Sequence, residues 1–246
     1  KTIHLIQPST TAIVYLLGIL AIGAGLYFLK IRNDQRSRLW WGIALLLWGL
    51  GALLAGTSYE AFSYAIKCAG RAACVWTSWW EIVYLLLSVA SLNAMLAAEA
   101  FACANGKLRR GLIGYAMAST ALYLLVVLAG ALLPVKFLIS FELLILVGTP
   151  NLVIFLVLNG RRYVRNRERM DLLLLGTWAW LILTIGAYFL YYLLGFSQEL
   201  WAKGIWFTEN DVLHIGLILW MLYIAGFVSR HVVDEPETGK GKVGVL

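Results

Sequence analysis

Apolar residues run along this chain in seven long blocks, separated by short polar stretches, at about residues 11–29, 39–66, 79–103, 111–133, 137–158, 172–194 and 211–228. Each block reaches the roughly 18–20 residues that a helix needs to cross a bilayer core about 30 Å thick. The pattern predicts an all-α polytopic membrane protein, a bundle of seven transmembrane helices. Ala21 and Gly25 form a small-xxx-small pair in the first block, which lets a neighbouring helix approach closely. Pro150 interrupts the fifth block and predicts a kink there. Residues 196–207, with Trp201 and Trp206, read as an amphipathic segment on the membrane surface.

Composition sharpens this reading. Of 246 residues, 61% are hydrophobic and 13% are charged, about half the charged share of a soluble domain. Seven spans with short loops leave no room for a separate soluble domain. The first apolar run is too long for a signal-peptide core and is expected to be a true span, and with Lys1 in place of an initiator Met a trimmed chain is expected. The expected organisation is a transmembrane domain over 1–232 and a disordered cytoplasmic tail over 233–246.

The net charge of +7 suggests nucleic acid, but its placement does not. Fifteen of the 20 Lys and Arg residues fall in the tail and the loops after spans 1, 3 and 5. The positive-inside rule then predicts an outside N-terminus and a cytoplasmic C-terminus, in a bacterial inner membrane. Membrane lipids and other membrane proteins are the expected partners, and nucleic acid is not.

That topology brings the ends of spans 2, 4 and 6 level with the starts of spans 3, 5 and 7. Glu60, Glu81, Glu142, Asp211 and His214 therefore lie at similar depth on the outer side. Asp211 and His214 are three apart and share a helical face. Tyr59 and Ser63 on span 2, with Tyr84 on span 3, extend the polar surface. The expected result is an outward-opening pocket lined by spans 2, 3 and 7. Ionisable residues in a span are functional candidates by default. The opposite half holds Glu99 and little else. Cys68 and Cys74 share one outer loop in an oxidising compartment, which predicts a disulfide. Cys103 is expected to be a free thiol near the inner face.

Two resemblances bear on function. Seven spans with an outside N-terminus resemble a rhodopsin, but Ile215–Val228 contains no Lys for a retinal Schiff base, so no retinal is expected. Separately, Gly56-Thr57-Ser58-Tyr59-Glu60-Ala61-Phe62-Ser63 and Glu209-Asn210-Asp211-Val212-Leu213-His214 resemble the span 2 and span 7 elements of the alkaline-ceramidase and adiponectin-receptor superfamily of seven-helix hydrolases. That resemblance implies metal-assisted amide or ester hydrolysis, with Asp211, His214, Glu60 and Glu81 as metal ligands and catalytic groups around zinc or a similar divalent ion. The chain departs from the family at Tyr59 and Glu60, and at Leu217 and Ile218, where the family places His. The leading expectation is an outer-side pocket for a lipid or amphiphile, with hydrolysis as its strongest form. The alternatives are a non-enzymatic sensor or subunit of a membrane complex, and a proton- or cation-coupled transporter.

Overall fold

The computed structural model describes residues 8–236, and the described residues contain helices and no strand. The helices are α1 (Pro8–Lys30), α2 (Arg36–Ala61), α3 (Ser63–Lys67), α4 (Trp79–Cys103), α5 (Gly106–Leu132), α6 (Phe141–Asn166), α7 (Arg169–Leu193), α8 (Phe196–Ala202) and α9 (Glu209–His231). All but α3 and α8 are long and apolar enough to cross a membrane. The chain is an all-α polytopic membrane protein.

Six of the seven spans close a ring. Helix α1 packs on α2, α2 on α4, α4 on α6, α6 on α7, α7 on α9, and α9 back on α1. Helix α5 lies outside the ring against α4. Burial reflects this: 67% of the most apolar window of α4 is buried, against 22% for α5. An aromatic column fills the ring. Trp178 stacks on Phe155 at 3.9 Å and on Trp41 at 5.8 Å, and Trp220 tilts against it at 6.5 Å.

Helices α1 and α2 approach each other closely. A Cβ on Gly18 would come within 3.1 Å of the Gly49 carbonyl, and one on Gly49 within 2.7 Å of the Gly18 carbonyl. Gly25 and Gly42 repeat the arrangement one heptad away, at 2.9 and 3.1 Å. The two glycine pairs set the antiparallel register, because a side chain at any of them would push the backbones apart.

The structure corrects several expected boundaries. Span 2 does not run on as one helix to 66. It widens into a π turn over Gly56–Ala61, breaks at Phe62 and restarts as α3. Thr57 and Ser58 hydrogen-bond back to the Leu53 and Leu54 carbonyls there and compete with the regular ladder. Helix α6 extends to Asn166, so Arg161, Arg162 and Arg165 stand on its last turns, not in a loop. It continues through Pro150. The surface helix is shorter than expected, ending at Ala202. The tail expected from 233 is docked at its start: Asp234 accepts hydrogen bonds from the Arg36 and Ser37 amides, and the Glu235 amide donates to the Phe101 carbonyl. The rest of that expected tail, 237–246, lies outside the described residues.

Candidate functional site

At one end of the bundle α4, α6 and α9 begin, and short polar side chains start each of them. The Ser78 hydroxyl accepts from the Glu81 amide while Glu81 accepts from the Ser78 amide at 3.3 Å, a reciprocal capping box. Ser140 accepts from the Leu143 amide. Asp211 accepts from the Thr208 amide at 2.7 Å and the Thr208 hydroxyl at 3.1 Å. The expected disulfide joins Cys68 and Cys74 between α3 and α4. It closes the loop directly after Lys67, whose ammonium pairs with Glu81 at 2.6 Å.

Between these helix starts and the π turn of α2 lies a cavity of about 390 Å³. Glu60 and Tyr59 enter it from the π turn, Glu81 and Tyr84 from α4, and His214 from α9. Tyr188 of α7 and the segment Ile139–Glu142 complete the wall, with Val14, Leu85 and Leu213 supplying apolar surface. Two of the wall's polar groups stand out. Glu60 is only 8% exposed, yet its carboxylate has no hydrogen bond or ion pair among the described residues. On the same wall, the buried Nδ1 of His214 also lacks a well-formed hydrogen bond. The Asn210 carbonyl one turn back is an acceptor for the ring only in poor geometry, and the Asp211 carboxylate acts on the ring electrostatically.

Of the residues the sequence singled out, Glu60, Glu81, His214, Tyr59, Tyr84 and Glu142 share this cavity wall. Asp211 and Ser63 do not. Asp211 is fully buried behind it, where it also accepts from Thr10 of α1 at 2.9 Å. Three donors on its two oxygens make it a helix-start and interhelical anchor. Glu81 is similarly engaged by Lys67, Thr77 and Ser78. Among the described residues no three His, Cys, Asp or Glu side chains come together as a metal-binding group. His4 lies outside the described residues. Sequence reasoning passed over Lys67, Trp76 and Tyr188, which also line the cavity. It also passed over the Ser78–Glu81 and Thr208–Asp211 spacings, which give away the capping roles.

The other end holds more than the expected Glu99. Glu99 is fully buried and accepts from Asn159 Nδ2 at 3.0 Å, Trp178 Nε1 at 3.2 Å and Cys103 Sγ at 3.4 Å. Cys103 is the free thiol, and it is buried. Asp171, also fully buried, pairs with Arg162 at 2.9 Å, and Arg162 reaches on to Glu235 and Glu168. Above this cluster Asn93 accepts from Asn151 and donates to Thr120, linking α4, α6 and α5. None of these residues lines the cavity.

Among solved structures, the chain is similar to one described as "Crystallographic Structure of Xanthorhodopsin, a Light-Driven Ion Pump with Dual Chromophore". The TM-score is 0.49 at 17% identity, with 92% of this chain and 96% of that chain covered. No curated protein sequence matches significantly. A profile described as a family of unknown function, DUF6962, matches residues 10–231, and the chain belongs to that family.

Proposed function

We propose that this protein is a non-enzymatic binder of a small amphiphile, a sensor or a ligand-carrying subunit of a membrane complex, with the cavity as its site. One observation carries the reading: a buried carboxylate, Glu60, and an imidazole, His214, stand without partners in the same cavity. Leaving a buried polar group unsatisfied costs about 1–3 kcal/mol. Native folds satisfy most such groups; other buried polar atoms such as Trp41 Nε1 and Tyr123 Oη also lack partners, but Glu60 and His214 face a common cavity, which supports a ligand that supplies the missing bonds. The volume lies in the range of small-molecule sites, and the wall mixes apolar side chains with a few converging polar ones.

Hydrolysis by a bound metal is the weaker reading. Catalytic zinc takes three protein ligands, and of the four candidates Asp211 and Glu81 are held by other bonds. Orientation follows from charge: the basic loops face the cytoplasm, so the cavity and the disulfide face the oxidising outer side. A bacterial inner membrane accommodates both.

The test uses the full chain in maltoside micelles, titrated with decanol, decanoate and decylamine while the unfolding temperature is followed. At least one of the three should raise it saturably. Leu213→Trp and, independently, Ala55→Phe fill the cavity and should abolish the shift. The reading fails if no probe stabilises the wild-type protein, or if both filled variants respond as it does.

A further inference from the structure

The charges around the cavity are not balanced, and the imbalance identifies the ligand's head group. Lys67 cannot serve an incoming anion, because its ammonium is held by Glu81 at 2.6 Å and lies 5.6 Å from the centre of the Tyr59 ring. Lys136 and Glu142 also line the cavity, are both exposed to solvent and carry opposite charges. The cavity wall keeps one buried acid without a partner among the described residues, Glu60. Asp211 and Glu209 lie near enough to act on Glu60 electrostatically, and both are also acids. None of the three has an ion-pair partner among the described residues.

The rings of the wall point the same way. Tyr59 and Tyr84 meet edge to face at 5.8 Å, and Phe141 and Tyr188 do so at 6.0 Å. All four line the cavity, as does Trp76. Aromatic faces attract cations, and Lys67 over Tyr59 already uses this property within the protein. His214, with no well-formed hydrogen bond among the described residues, has a ring nitrogen available to accept one from an N–H.

Building on the binding reading above, we infer that the cavity takes an organic ammonium: a cationic amine head on an alkyl body, with the nitrogen against Glu60 and the body along Val14, Leu85 and Leu213. The head can come from a free amphiphilic amine or from an ethanolamine lipid, since both present the same charged group.

The same micellar titration decides this. Decylamine should bind about tenfold more tightly than decanol, and decanoate more weakly than either. In Glu60→Gln the ratio of amine to alcohol affinity should fall to about one. If decanol binds as well as decylamine, or decanoate binds better, the ammonium assignment is overturned while the amphiphile site stands. If none of the three binds, the site itself is overturned. Competition separates the two sources. Displacement of decylamine by phosphatidylethanolamine but not by phosphatidylglycerol identifies a lipid head group. Displacement by neither identifies a free amine. Stronger displacement by phosphatidylglycerol contradicts the inference.

Discussion

At the basic end of the bundle, the Glu99 carboxylate is fully buried and receives three donors, from Asn159, Trp178 and Cys103. At the disulfide end, the Glu60 carboxylate is almost as far from solvent and receives none among the described residues. Glu60 lines a cavity of about 390 Å³, and Glu99 does not line it. Both are acids inside a membrane helix, where each is costly. What separates them is where the compensating hydrogen bonds come from. Around Glu99 they come from α4, α6 and α7, so the group fastens helices together. Around Glu60 no described residue supplies them, which is the gap on which the proposed ligand site rests.

The strongest way to break this comparison is at the basic end. Asp171 is fully buried, and its described ion-pair partner is Arg162. Removing one member of a buried pair leaves an uncompensated charge and costs about 3–5 kcal/mol. Arg162→Ala should therefore lower the unfolding temperature sharply, and it also frees the Glu235 carboxylate, although the Glu235 backbone stays bonded to Phe101 and Arg109. The double variant Arg162→Met/Asp171→Leu should recover most of the loss, because neither charge is then stranded. Helix content followed by circular dichroism during heating in micelles measures both. If Arg162→Ala melts like the wild type, this end is not a staple.

A smaller effect is expected at Glu99. Gln in its place has one oxygen, for Trp178 or for Asn159, and turns an amide N–H₂ toward the other donor. Asn159 Nδ2 already donates to the Phe155 carbonyl, which holds its orientation. Two donors then face each other in a buried site, at a cost of about 1–3 kcal/mol. The same thermal melt reads it, and an unchanged melt would show that the three hydrogen bonds do not hold the helices.

Much of this was legible in the sequence, and unevenly so. Span number and the level of the acids follow from hydropathy and alternation, because a lipid-crossing helix must be long and apolar. The loop disulfide follows from two cysteines six apart. Two of the acids have a local structural role that the reading as site residues left out. Glu81 and Asp211 each stand three residues after a Ser or Thr, the spacing of a capping box, and that local chemistry absorbs them. Asp171 was under-read. It sits in a run dense with arginine that looks like a cytoplasmic loop, and its burial depends on α6 running on to Asn166. Arg167, with φ at 57°, then turns the chain so that α7 comes back beside Arg162. No periodicity within one helix signals a pair made across such a turn. Asp211 and His214 show the same limit. They share a face by spacing, but Asp211 reaches Thr10 of α1 while His214 faces the cavity, and only the placement of α1 decides that.

The smallest expected effect has the opposite sign and sharpens the comparison most. Glu60→Gln removes an unpartnered charge and keeps the shape of the side chain. In the absence of ligand nothing in the protein loses a bond, so the apo protein should gain stability, by about 1 kcal/mol. Sites kept for a ligand commonly stabilise when their polar groups are neutralised, whereas a satisfied group such as Glu99 destabilises. Melting both variants side by side, without added amphiphile, therefore gives shifts of opposite direction. A loss of stability in Glu60→Gln would mean that the carboxylate already has a partner within the protein, and the two ends would then be alike.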